Sequence, residues 1–84
     1  MSRKQKLKDR LQQRPAPKDF TWDEAETLMM ACGFRLITNS GSSRKFVHTT
    51  GIKAILHEPH PGNVLLKYMI DELIEALRRV KEIT

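Results

Sequence analysis

The sequence predicts an α+β fold, a two-layer sandwich in which a helix, a three-stranded antiparallel sheet and a second helix follow one another. Two stretches with helical spacing of apolar residues indicate the helices, and three short alternating stretches between them indicate the strands. Residues 19–84 form this predicted domain, and residues 1–18 precede it as a basic N-terminal arm. A chain of 84 residues has room for one domain with a modest core.

The first helix of the domain is predicted to begin at Thr21. The segment Thr21-Trp22-Asp23-Glu24 fits the Ser/Thr-x-x-Glu capping box, and Phe20 occupies the position of a hydrophobic staple. Gly33 is the expected left-handed residue that ends the helix. Between these two signals the apolar residues that recur at helical spacing are Trp22, Ala25, Leu28, Met29 and Cys32.

Three strands are predicted after this helix, over residues 34–39, 44–49 and 52–57. A turn at residues 40–42 joins the first two strands, and Thr50-Gly51 is a hairpin-type connection to the third.

Side-chain alternation divides the third predicted strand into two faces. Ile52, Ala54 and Leu56 share one face, whereas Lys53, Ile55 and His57 share the other. Prolines then forbid further ladder pairing, and from Val64 onward a broad apolar stripe predicts the C-terminal helix. Two helices can therefore cover one sheet face and leave the other in water.

The positive charge is concentrated in two parts of the chain. The formal net charge is +5, and residues 1–18 alone hold seven Lys or Arg against one Asp. Residues 34–67 hold five cations against Glu58. This distribution suits a polyanionic partner, although a solubilising arm and an ordinary solvated face explain it equally well. Because Leu7 and Leu11 are the only leucines in the arm, we expect at most a short, mobile helix there.

Several classes of protein are excluded by composition. The one cysteine, Cys32, cannot form an internal disulfide, and no apolar stretch approaches the roughly 20 residues that span a bilayer. The basic N-terminus lacks the apolar region of a secretion signal, so a cytoplasmic protein is expected. The three histidines show no metal-ligand spacing, and neither a metal nor another cofactor is expected.

Candidate nucleic-acid-binding residues lie around the turn between the first two predicted strands. Ser42, Arg44 and Lys45 adjoin this turn, and Lys53 begins the positive face of the third strand. Hydroxyls and cations hold phosphate, and a guanidinium can bind it in bidentate fashion. Arg44 has the alternative of pairing with Glu58 or with an acid from a helix.

The histidines are candidates for proton transfer, each with a structural alternative. His48 either takes part in the chemistry or is a half-buried strand residue that is hydrogen-bonded to a neighbour. His60 precedes a helix N-terminus, which attracts phosphate, but it is equally well explained as a turn residue ordered by the flanking Pro59 and Pro61. His57 faces the wet surface of the sheet or is simply solvated.

In order and spacing, these motifs resemble the HicA family of small RNA-cleaving toxins. The shared features are a helix ending in Gly33-Phe34, a Gly41-Ser42 turn before a strand with Phe46 and His48, and the element Pro59-His60-Pro61. They span roughly residues 20–80. The resemblance implies a fold like the double-stranded-RNA-binding domain and the activity of a messenger-RNA interferase, an endoribonuclease. It also implies neutralisation by a HicB-like antitoxin in a toxin–antitoxin module.

The chain departs from this family at the position associated with catalysis. Typical members carry a histidine where this sequence has Ser43. A serine hydroxyl cannot act as a general base near neutral pH, whereas imidazole can. Either His48 or His60 replaces the missing group, with Arg44 steadying the phosphate, or the protein binds RNA without cutting it. A non-catalytic RNA-binding module and a protein-interaction subunit of the same fold are the competing hypotheses.

Overall fold

The computed structural model describes residues 3–38, 43–57 and 64–83, with Ser43 described by its backbone alone. The elements along these residues are α1 (Arg3–Leu11), α2 (Trp22–Ala31), β1 (Phe34–Thr38), β2 (Ser43–His48), β3 (Lys53–His57) and α3 (Lys67–Arg79). The α+β prediction is confirmed. None of the helices in this part of the chain is long and apolar enough to cross a membrane.

Helix α2 begins and ends as the sequence predicts. The Thr21 hydroxyl accepts a hydrogen bond from the Glu24 backbone N–H at 3.2 Å, and the Thr21 N–H donates to Glu24 Oε1 at 3.1 Å. This reciprocal capping box satisfies two backbone donors at the start of the helix. Gly33 has φ of +92°, the left-handed conformation that turns the chain out of the helix and into β1.

The three strands form an antiparallel sheet in the order β1-β2-β3. The inner side chains Phe34, Phe46, Ala54 and Leu56 are buried. Helix α2 packs against β1 and α3 packs against β3, so both helices cover this one side of the sheet. The two-layer arrangement leaves the opposite face in solvent.

Helix α3 begins three residues later than its apolar stripe suggests. Val64 forms an isolated bridge with Thr21, and the Leu65 N–H donates to the Phe20 carbonyl at 2.8 Å. These contacts hold the backbone extended up to the N-cap residue Leu66, which has φ of −79° and ψ of 161°. The helix therefore starts at Lys67, and its inner face contributes Ile70, Leu73 and Leu77 to the core.

The expectation of a mobile arm is wrong for residues 3–11, which form α1. Leu7 and Leu11 are buried in the same core as the domain, and α1 packs against α2. Burial of a leucine side chain contributes about 1.5–3 kcal/mol, so two such anchors favour docking of a short helix. Ion pairs between the arm and the domain, described next, add to this attachment.

Three arm cations are paired with acids of the domain. Arg10 forms an ion pair with Glu24 in the capping box of α2, and a second with Asp19 at 3.2 Å. Its guanidinium also lies 5.2 Å from the centroid of the Phe20 ring. Lys4 and Lys8 both pair with the Glu82 carboxylate, at 3.2 Å and 3.5 Å. These cations are therefore occupied within the protein.

Candidate nucleic-acid interface

The solvent-facing side of the sheet is the candidate interface, and we call it the outer sheet face. Alternation along each strand assigns its residues, because their sequence neighbours point into the core. The described side chains of the outer sheet face are Arg35, Ile37, Lys45, Val47, Lys53, Ile55 and His57.

Register brings three cations of the outer sheet face together. Arg35 and Lys53 flank Val47 on the two neighbouring strands, and Lys45 lies two residues along β2 from Val47. Strands lie about 4.8 Å apart, so Arg35 and Lys53 start from backbone positions separated by about 10 Å. Long side chains at this spacing can contact successive groups of one bound polymer.

The outer sheet face has cations and apolar residues but no acid. The segments β1, β2 and β3 contain no Asp or Glu. Within the described residues, Arg35, Lys45 and Lys53 form no hydrogen bond or ion pair with another side chain. Ile37 and Ile55 are 39% and 60% exposed, so they can pack against the apolar parts of a ligand. This chemistry suits the phosphates and bases of a nucleic acid.

The predicted RNA-binding residues do not all lie on this face. Lys45 and Lys53 do, but Arg44 lies opposite Thr38 and Leu56 on the inner side of the sheet. It is half-buried there and has a partner within the protein. Ser42 lies outside the described residues. Arg35, which the sequence analysis did not single out, lies on the outer sheet face instead, and the signal for this was available: Phe34 is apolar, so the next residue points outward.

Ser43, which the sequence analysis set against a histidine of the family that the chain resembles, lies directly opposite His57 in the sheet. His57 is exposed on the outer sheet face. The hydrogen bond from the His48 N–H to the Ile52 carbonyl fixes the same register, because Ser43 and His57 each lie five residues from this bonded pair. Facing residues of an antiparallel pair have Cβ atoms about 4.5–5.5 Å apart. The sequence analysis counted His57 among the histidines that could transfer a proton but did not place it opposite Ser43.

His48 lies at the other end of β2, about 17 Å along the strand from Ser43. Its Nδ1 accepts a hydrogen bond from the Thr50 backbone N–H at 3.1 Å and lies 2.9 Å from the Thr50 hydroxyl. Its ring contacts Phe34 edge-on, with ring centroids 5.0 Å apart. This is the half-buried, hydrogen-bonded strand residue that the sequence analysis gave as the alternative. His60 lies outside the described residues.

Two ionisable groups have shifted pKa values, and both lie in the helical layer. Burial raises the pKa of the Cys32 thiol, and the nearby Glu82 carboxylate raises it further, so this cysteine stays a neutral thiol. Burial alone would raise the pKa of Glu24, but the Thr21 N–H and the Arg10 guanidinium outweigh it and leave this pKa below its usual value. The described residues contain no cluster of His, Cys, Asp and Glu that could hold a metal ion.

Comparison with known families gives one match. The family model described as HicA toxin of bacterial toxin-antitoxin matches residues 22–78, more than half of the chain. The matched segment runs from the first turn of α2 into the last turn of α3 and leaves α1 outside. Comparisons with curated proteins and with solved structures gave no match.

Proposed function

The chain belongs to the HicA family of bacterial toxins, and from that membership we propose that it is a ribonuclease that binds messenger RNA across its outer sheet face. As a HicA toxin it belongs to a toxin–antitoxin module, in which an antitoxin is its protein partner. We take that antitoxin to be HicB-like and the site of action to be the cytoplasm, where messenger RNA is translated.

The observation that carries this proposal is the acid-free outer sheet face with Arg35, Lys45 and Lys53. Each phosphate that a cation neutralises releases condensed counterions, so binding is driven by charge and weakens with salt. Helix α1 presents a weaker positive surface, since three of its five cations, Lys4, Lys8 and Arg10, are paired with acids of the domain. Single-stranded RNA is favoured, because the exposed isoleucines can contact unstacked bases.

The test of RNA binding is the triple variant Arg35→Ala, Lys45→Ala, Lys53→Ala. Each phosphate contact on a single strand contributes about 0.7 to the slope of log affinity against log salt, so we expect the slope to fall by about 2. The measurement is fluorescence anisotropy with a labelled oligonucleotide at several salt concentrations. Arg79→Ala, at the exposed end of α3, is the matched control and should leave the slope unchanged. A triple variant with the wild-type slope would place the RNA site elsewhere.

Cleavage needs a group that takes a proton from a ribose 2′-hydroxyl, and His57 is the described histidine that lies opposite position 43. In the proposed step, the 2′-oxygen bonds to the adjacent phosphorus and the bond from phosphorus to the 5′-oxygen breaks. The 2′-hydroxyl proton passes to His57, and water protonates the departing 5′-oxygen. Lys45, two residues along β2 from Ser43 on the same face, stabilises the charge on the phosphate oxygens.

His48 and His60 stay as alternatives for this proton transfer. The hydrogen bonds of His48 to Thr50 and its distance from Ser43 favour a different role for it. Arg44 is at the start of β2 next to Ser43, so a supporting contact to phosphate stays part of the proposal.

A non-catalytic RNA-binding protein of the same fold is the second candidate function. It is favoured by one observation, the serine at position 43. The two candidates differ in whether purified protein shortens a labelled RNA. Cleavage that disappears in His57→Ala supports the ribonuclease, whereas stable binding without cleavage supports the second candidate.

A further inference from the structure

An open pocket of about 200 Å³ lies at the end of the sheet where β1 begins and β2 ends, beside the outer sheet face. This volume is below the roughly 300–1,000 Å³ of sites for drug-sized ligands, so it suits one small ring system. The residues that line the pocket are Gly33, Arg35, Ile37, Val47, His48 and Thr49.

The hydrogen bonds of His48 leave one ring nitrogen as a donor at this pocket. Nδ1 accepts from the Thr50 backbone N–H, so in the neutral ring the proton is on Nε2. A Cβ atom added at Gly33 would lie 3.1 Å from His48 Nε2, so this nitrogen lies beside a residue that has no side chain. Within the described residues, Nε2 has no hydrogen-bond partner. Gly33 thus leaves the donor edge of the ring accessible.

The charged side chain that lines the pocket, Arg35, is also a donor, and two of the walls are aliphatic. The Arg35 guanidinium carries N–H donors and no acceptor, and it has no side-chain partner in the described part of the chain. Ile37 and Val47 supply the aliphatic walls. A flat ring with acceptor atoms on its edge matches this arrangement.

We propose, resting on the RNA-binding function above, that this pocket holds one unstacked keto base, guanine or uracil, of a single-stranded RNA. Guanine offers O6 and N7 as acceptors, and uracil offers its carbonyl oxygens. At the ring position that carries O6 of guanine or O4 of uracil, adenine and cytosine present an exocyclic amino group, and this donor would meet the donors of His48 and Arg35. The pocket thereby gives the RNA interface a base preference that the phosphate contacts alone do not provide.

The experiment measures the affinity of the full chain for adenosine octamers that carry one central guanosine, uridine or cytidine. The wild-type protein should bind the guanosine and uridine oligomers about tenfold more tightly than the cytidine and all-adenosine oligomers. In His48→Phe an aromatic ring still packs on Phe34, but the Nε2 donor is lost, and this preference should fall below about threefold. Lys45→Ala is the comparison variant: it should weaken binding to all four oligomers by a similar factor, because it contacts phosphate.

The outcomes separate this inference from the proposed function. If the wild-type protein binds none of the oligomers, both are wrong. If it binds all four equally, or if the preference survives in folded His48→Phe, RNA binding stands and the base pocket is wrong. Should His48→Phe fail to fold, the nitrogen-15 resonance of wild-type His48 Nε2 decides: it should shift with the guanosine oligomer and not with the all-adenosine one, and equal responses would overturn the inference.

Discussion

At the residue scale, alternation along β2 separates side chains that adjoin one another in the sequence. Arg44 lies on the inner side of the sheet with Phe46, whereas Lys45 lies on the outer sheet face. A double substitution of Arg44 and Lys45 would therefore mix two effects, one on packing within the protein and one on ligand binding. Single substitutions keep them apart.

The first residue-scale prediction concerns His57. If the imidazole opposite Ser43 transfers the proton, His57→Ala should lower the rate of RNA cleavage by about 10²–10⁴-fold. Binding of a 2′-deoxy oligonucleotide, which cannot be cleaved by this step, should change far less. The measurement is single-turnover cleavage of a labelled RNA.

His48→Ala and His60→Ala are the matched variants for this prediction, and Ser43→His is the gain-of-function variant. Restoring the family's histidine should raise the rate in the wild-type background and rescue part of the loss in His57→Ala. Full activity in His57→Ala, with a loss in either of the other two alanine variants, would assign the proton transfer to that histidine.

The second residue-scale prediction concerns Glu24 and pH. Because the folded-state pKa of Glu24 is lowered, its contribution to stability is present above the unfolded-state value of about 4.3 and is lost as the pH falls through the lower folded-state pKa. Glu24→Gln should therefore destabilise the protein most near neutral pH, and the difference should shrink on acidification. Urea midpoints at pH 7 and pH 3 measure this. Glu72→Gln, an exposed change on α3, is the control, and an equal loss from it would contradict the prediction.

At the element scale, α1 shows that ion pairs can help to dock a helix that has few apolar residues. Its two leucines, which sequence reasoning judged too few, are buried in the core, and the ion pairs of the surrounding cations with acids of the domain add to this attachment. Asp19 and Glu24 are 9 and 14 residues from Arg10, and Glu82 is 78 residues from Lys4. Periodicity within a helix carries no information on partners at such separations.

The element-scale prediction is that α1 contributes to folding stability. Leu11→Ala should cost about 2–5 kcal/mol in the free energy of unfolding, because it leaves a cavity in the core. Deleting residues 1–11 should likewise lower the melting temperature, the reverse of what a mobile arm would give. Lys6→Ala, on the exposed side of α1, should stay within about 0.5 kcal/mol. Chemical denaturation checks these values, and a Leu11→Ala protein as stable as Lys6→Ala would show that α1 is not docked.

The sheet and the two domain helices could be predicted from local signals alone. The capping box at Thr21, the left-handed Gly33 and the alternation of β3 are each encoded within a few residues. The candidate site was harder, because it depends on register between strands. The facing pair of Ser43 and His57 and the outward direction of Arg35 follow only after β2 has been aligned with both neighbours.

At the scale of the whole molecule, the cations have two roles, one in holding the fold together and one on the solvent-facing surface. Three cations of α1 attach it to the domain, whereas the unpaired cations of the described strands face outward from strands that contain no acid. The net charge of +5 is thus a poor guide to where a polyanion binds. The location of the charge in the fold is the informative quantity.

The whole-molecule prediction concerns growth. Induced expression should arrest cell growth with decay of messenger RNA, and co-expression of a HicB-like antitoxin should restore growth. The triple variant of Arg35, Lys45 and Lys53 should be non-toxic at equal protein level, because it no longer holds RNA. Arg79→Ala should remain toxic. Arrest by the triple variant with unchanged messenger RNA would point to a target other than RNA.

The pairing of Lys4 with Glu82 sets an order of events during protein synthesis. These residues are 78 positions apart, and ribosomes add about 5–20 residues per second, so the partner of Lys4 emerges about 4–16 s after it. The contact between Lys4 and Glu82 is therefore among the last that α1 forms with the domain, whereas the partners of Arg10 emerge much earlier. Throughout that interval Leu7 and Leu11 have no completed core to enter, and a nascent chain is open to capture by whatever protein is being made beside it.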